Sequence, residues 1–165
     1  HCHKVVDNSA PMPAGLTFFP EYLQQVGYQT GVFGKWHMGN DTGDPQPGFN
    51  HWESFSGQGE YYNPRLNVNG KWIRYADSTY VTDLLTTHAI EFMKQQQTSH
   101  KPFMVYLSHK GVHDNFSPAK RHKGCYSGKP LVIPPSFDTS KEKIKALPTI
   151  DPSTGKAAAG RRSHV

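Results

Sequence analysis

Leu16, Phe19, Leu23 and Val26 recur at three- and four-residue intervals, which predicts a helix beginning near Thr17. Thr17 is its expected N-cap, Pro20 lies in the first turn where a missing N–H costs little, and Gly27 supplies the stop. The apolar, glycine-bounded run from Tyr28 to Gly34 then reads as a strand that ends where Lys35 begins. From Asn40 to Pro64 the pattern dissolves into glycine, proline and asparagine. Phe49, Trp52, Phe55, Tyr61 and Tyr62 are scattered through this stretch, so it is expected to be a long loop held down by its aromatic residues. Asn69-Gly70, between short β-forming runs in Leu66 to Tyr75, predicts a two-stranded hairpin. Val81, Leu84, Leu85, His88 and Phe92 form one stripe of a second helix, from about Ser78 to Gln96, with His88 as a packed core histidine. Lys101-Pro102 closes that helix. Phe103 to Leu107 is almost continuously apolar, as a central strand covered on both faces requires.

The order helix, strand, loop, hairpin, helix, strand indicates an α/β fold. In open α/β sheets, ligands collect at the carboxyl ends of strands. Lys35 and His37 follow the first predicted strand, and Ser108-His109-Lys110-Gly111-Val112-His113 follows the last. Two strand ends would thus bring lysine and histidine to one edge. A lysine supplies a point charge with three donors, and a histidine donates a hydrogen bond or a proton near neutral pH. Such groups suit a small anionic ester, whose hydrolysis develops charge on the leaving oxygen. On spacing alone, the same residues also read as solvated loop positions.

Composition narrows the picture. Hydrophobic residues amount to 35% of 165, and Gly 15 and Pro 13 imply abundant irregular structure around a lean core. The net charge of +5, from 18 basic and 13 acidic residues, suits an anionic ligand but lacks the clustered stripe of a nucleic-acid binder. No apolar run approaches the ~18 residues of a membrane helix. The start, His1-Cys2-His3-Lys4, has neither methionine nor a signal-peptide pattern, and the chain is expected to be a piece of something longer or a processed product. A domain over residues 1–138 is expected, followed by a polar tail over 139–165 with little order. Cys2 and Cys125 have no metal-ligand spacing, and nothing in the sequence pairs them.

Gly27-Tyr28-Gln29-Thr30-Gly31-Val32-Phe33-Gly34-Lys35-Trp36-His37-Met38-Gly39 resembles the second signature of the sulfatase family, with Phe33 in place of a small or β-branched residue. His3 to Asn8 and Thr17 to Leu23 look like the segment after the nucleophile motif of bacterial-type sulfatases. Pro102 to His113 is similar to the family's next active-site strand and loop. The likeness extends over roughly residues 3 to 137. It implies an alkaline-phosphatase-like α/β sandwich, with a large mixed sheet between helical layers, that hydrolyses sulfate monoesters. By that resemblance Lys35 and His37 bind sulfate and hold the nucleophile, and His113 donates the proton; His109 and Lys110 are further substrate-binding candidates. The family's formylglycine arises from a cysteine-x-proline-x-arginine motif that neither Cys2 nor Cys125 matches. Its paired N-terminal aspartates and later aspartate-asparagine pair, which bind calcium in the complete enzyme, have no counterpart here. Asp7-Asn8 and Asp114-Asn115 are turn or loop residues on this reading, not metal ligands.

The isolated chain is therefore expected to be inactive. A non-catalytic module for sulfated glycans or other anions, a phosphoesterase or phosphonate hydrolase of the same superfamily, and a truncated product without a stable fold are the alternatives. A carbohydrate sulfate is mildly preferred as substrate, because Trp52, Tyr61, Tyr62 and Trp72 could stack on sugar rings. The family's habits imply a periplasmic, secreted or lysosomal location. Asn40-Asp41-Thr42 and Asn115-Phe116-Ser117 match the glycosylation pattern, relevant only in a eukaryotic secretory route.

Overall fold

The computed structural model describes residues 10–39 and 42–130. These form α1 (Phe19–Gln25), β1 (Gln29–Gly34), β2 (His51–Ser54), β3 (Arg65–Val68), β4 (Lys71–Arg74), α2 (Val81–Thr98) and β5 (Phe103–Ser108), with a 3-10 turn at Lys120–His122. The chain divides into two compact units, His1–Val112 and His113–Val165. The strands all belong to the first unit, in one mixed sheet of order β4-β3-β2-β1-β5. β1 runs parallel to β2 and β5, while β2 with β3 and β3 with β4 are antiparallel.

Alternation along β1 builds a core on each face of the sheet. Phe33 points to α2, where Leu85, Ala89 and Phe92 close over it. Val32 points the other way, into a cluster with Trp36 and Trp52 that Phe18, Met38 and Phe49 extend. β1 is thus buried on both faces. Val81, Leu85, Ala89, Phe92 and Gln96 are the buried positions of α2. His88 stands at the edge of that stripe and is not a packed core residue. Its Nδ1 lies 2.8 Å from Oε1 of Glu53, a carboxylate that is itself buried.

The N-cap of α1 is Phe18, one residue later than expected. The Glu21 carboxylate accepts the Phe18 N–H at 2.7 Å and supplies the cap in place of the Thr17 hydroxyl. Gly27, at φ 89°, ends the helix as anticipated. Part of the predicted apolar stripe faces outward, however, with Phe19 57% and Val26 69% exposed. The hairpin forms as read, β3 and β4 joined through Asn69 (φ 51°) and Gly70 (φ 91°), the left-handed pair that a type I′ turn requires.

Two strand expectations fail. The loop expected over Asn40 to Pro64 contains β2, the middle strand of the sheet. Its residues Trp52, Glu53 and Ser54 are buried. Distant partners make it a strand. Asn50 Oδ1 accepts the Thr30 N–H at 2.9 Å, Asn50 N donates to Thr30 O at 2.8 Å, and Trp52 N donates to Asn69 Oδ1 at 2.7 Å. β5 is an edge strand among the described residues, not a central one. Tyr106 and Leu107 are 39% and 40% exposed.

Trp52 and Tyr61 lie in the core, so they do not offer ring faces to a sugar. Trp72 carries the Arg65 guanidinium 4.8 Å above its ring. Cys125 is exposed, while Cys2, Asp7-Asn8, Asn40-Asp41 and the tail expected over 139–165 lie outside the described residues.

Candidate anion-binding site at the strand ends

The site begins with a backbone constraint. Gly34 pairs with Ser108 across the parallel β1/β5 ladder, and its φ is 110°. A Cβ on Gly34 would lie 1.9 Å from Ser108 O, so only glycine lets the two strand ends approach this closely. The next amide, Lys35 N, donates to the same Ser108 carbonyl at 2.8 Å. Lys35 and the His109-Lys110 pair are thereby delivered to one edge of the sheet, as the pattern of two cation-bearing strand ends predicted.

Trp36 fixes the loop that follows. Its ring is 8% exposed and makes edge or tilted contacts with Phe18, Phe49, Trp52 and Tyr106 at centroid distances of 5.5 to 6.4 Å. With Trp36 plugged inward, Lys35 and His37 on either side stay partly exposed. His37 adopts φ 57°, a left-handed conformation that a non-glycine residue holds only where its surroundings enforce it. Trp36→Ala is expected to cost about 3 to 5 kcal/mol, read as a fall in the urea midpoint, because it empties the centre of this aromatic cluster.

A residue outside the sequence-based candidates joins the two strand ends. Lys35 Nζ donates to Gln58 Oε1 at 2.5 Å, and Lys110 Nζ donates to the Gln58 backbone carbonyl at 2.9 Å. Lys110 is buried, and its ammonium stands 4.7 Å from the centre of the Tyr61 ring. Its charge is thus spent on the turn that carries Gln58 and on an aromatic face. The sequence marks that turn only as glycine-flanked, in Ser56-Gly57-Gln58-Gly59. Nothing local reveals that its carbonyl and its side chain meet lysines from two different strands.

His109 is half-buried, and burial holds its pKa below the ordinary 6.5 because the charged ring loses its hydration. It is therefore neutral at neutral pH and contributes a hydrogen-bonding group, not a cation. A histidine with a lowered folded pKa adds stability above its unfolded pKa, and that contribution disappears as pH falls through the folded value. Thermal melts should thus drop as the pH is lowered from about 6.5, and His109→Gln should flatten that part of the profile. His113 belongs to the second unit, where its Nδ1 lies 2.6 Å from Asp114 Oδ1.

A second group of titratable side chains lies on the α2 face. His51, Glu53, Tyr75 and His88 line a cavity of about 300 Å³ there. Burial, and secondarily the Glu53 charge, raise the Tyr75 pKa. Among the described residues no group of histidine, cysteine, aspartate and glutamate could hold a metal ion.

Residues 1–132 match the family model described as Sulfatase. The chain belongs to the sulfatase family. It is 37% identical over 150 residues to the N-acetylglucosamine-6-O-sulfatase of Bacteroides thetaiotaomicron, covering 88% of this chain and 26% of that protein. It is 27% identical to the extracellular sulfatase SULF-1 homolog of Drosophila melanogaster, over 73% of this chain and 11% of that one. Among solved structures it superimposes on BT4656 in complex with its substrate D-glucosamine-2-N,6-O-disulfate. The TM-score is 0.67 at 39% identity, over 78% of this chain and 25% of that one. Ps i-CgsB in complex with k-i-k-neocarrahexaose, at 22% identity and TM-score 0.63 over 74% of this chain and 32% of that one, shares the fold. This sulfatase segment therefore has the alkaline-phosphatase-like α/β fold of a sulfuric ester hydrolase, and it spans about a third or less of the length of these relatives. No described helix is long and apolar enough to cross a membrane. The family generally uses a metal ion, but the described residues do not fit one, so no step here is assigned to a metal.

Proposed function

We propose that this segment supplies the anion-binding edge of a sulfatase that hydrolyses a 6-O-sulfate ester on an amino sugar. The observation that carries the reading is the delivery of Lys35, at the end of β1, to the end of β5 through the Gly34–Ser108 approach, within a motif that matches the family. The substrate class rests on the relative named an N-acetylglucosamine-6-O-sulfatase and on the solved structure of BT4656 with a 6-O-sulfated glucosamine.

In this reading the Lys35 ammonium and His37 imidazole grip the non-bridging sulfate oxygens, which carry the ester's charge, while the charge that develops on the leaving oxygen needs a separate donor. His113 protonates the leaving sugar oxygen. His109 adds a neutral hydrogen-bonding group at the same strand end as Lys110. Calcium is the metal we assign to the complete enzyme, on family resemblance alone. A site outside the cytoplasm, in the periplasm, a lysosome or the medium, accords with a relative named as extracellular.

The test is release of inorganic sulfate from N-acetylglucosamine 6-sulfate. The complete enzyme carrying this segment should turn it over faster than the matching 6-phosphate. Faster phosphate release would favour the phosphoesterase alternative and overturn the assignment. The isolated 165-residue chain should release no sulfate above buffer, because groups that act as a unit lose most of their effect when the nucleophile is missing.

A further inference from the structure

We propose that Gln58 is a sulfate-binding residue, whose side-chain amide donates to the same anion as Lys35. The inference rests on the reading of the strand ends as the sulfate site. Its starting point is that Oε1 of Gln58 is already taken, because it accepts from Lys35 Nζ at 2.5 Å. That bond fixes which branch of the carboxamide is oxygen and leaves Nε2 as the other. Nε2 meets no acceptor among the described residues, and neither do the remaining ammonium hydrogens of Lys35. The contact therefore presents two amide N–H and two ammonium N–H side by side. A tetrahedral anion offers adjacent oxygens that accept from both.

The turn that carries this amide is held rigidly, although the side chain itself is exposed. Lys110 Nζ donates to the Gln58 carbonyl at 2.9 Å, and the Lys110 ammonium is backed by the Tyr61 ring. On the other side, Gly59 at φ 63° folds directly onto the buried Phe55 ring, where a Cβ would lie 2.5 Å from the nearest ring carbon. Anchoring from two directions means that little order has to be gained when an anion arrives, so the amide is preorganised. A buried lysine that fixes a backbone carbonyl is a costly device for a surface turn. It makes sense if the position of the next side chain matters. Lys110 is then a positioning residue acting through Gln58.

The experiment is an NMR titration of the full 165-residue chain with inorganic sulfate, following the Gln58 side-chain amide and the Lys35 ammonium signals. The Gln58 amide protons should shift with the same saturation curve as Lys35. Gln58→Leu, which removes the amide, should weaken sulfate binding roughly tenfold. Gln58→Glu should weaken it further, since it keeps an acceptor for Lys35 but turns a donor into a repelling carboxylate. Unchanged or tighter binding by Gln58→Leu would show that Gln58 only caps Lys35, and would overturn the proposal. Lys35→Met separates the two readings. If it binds sulfate like the parent, or if the parent binds none, the anion site itself is wrong; if it loses binding while Gln58→Leu does not, only the role of Gln58 falls.

Discussion

Gly34→Ala is expected to prevent this sulfatase segment from folding, or to lower its stability by about 3 kcal/mol or more. Two costs combine at one atom. The residue sits at φ 110°, which an L side chain rarely adopts, and the added methyl would lie 1.9 Å from the Ser108 carbonyl oxygen. The oxygen cannot retreat, because it accepts the Lys35 N–H at 2.8 Å and belongs to a strand paired with β1 along its whole length. Any relief must separate the ends of β1 and β5, and that separation also moves Lys35. Since domain stabilities are only about 5 to 15 kcal/mol, the loss would be visible in a urea melt followed by tryptophan fluorescence. A variant that melts like the parent would mean that the strands do not approach in this register.

Lys35→Met should lower kcat/KM of the complete enzyme toward a 6-O-sulfated sugar by about 10² to 10³. On the proposed role the ammonium stabilises the sulfuryl group more strongly in the transition state than in the ground state, so most of the loss should appear in kcat. A lysine that served only to attract substrate would instead raise KM and leave kcat intact. Lys35→Arg should recover only part of the activity. A planar guanidinium cannot replace a compact ammonium beside the Gln58 carboxamide without displacing it. A Lys35→Met enzyme with unchanged turnover would remove the strand-end edge from the chemistry.

Local rules in the sequence accounted for several parts of this protein. An apolar, glycine-bounded run marked β1 and its end at Lys35, the Asn69-Gly70 pair marked the hairpin, and the spacing of Val81, Leu85 and Phe92 marked the face of α2. Each depends on residues a few positions apart, and the Lys35-Trp36-His37 motif could be read for the same reason. The four residues of β2 could not, since they lack a long alternating run and become a strand through Asn50, Thr30 and Asn69. An apolar run also does not reveal what lies beside it, which is why β5 reads as central but stands at an edge among the described residues.

The chemistry divides in the same way. The sequence by itself determined which cations follow β1 and β5, because residue identity and strand direction place them at strand ends. Only the tertiary structure decided which of those charges are available. Burial leaves His109 uncharged at neutral pH, and the Tyr61 ring and Gln58 carbonyl occupy Lys110. The Gln58 turn, 23 residues from Lys35 along the chain, meets its ammonium. Solvation and hydrogen-bond partners are properties of neighbours in space, and the contacts that set them here join residues far apart in the chain.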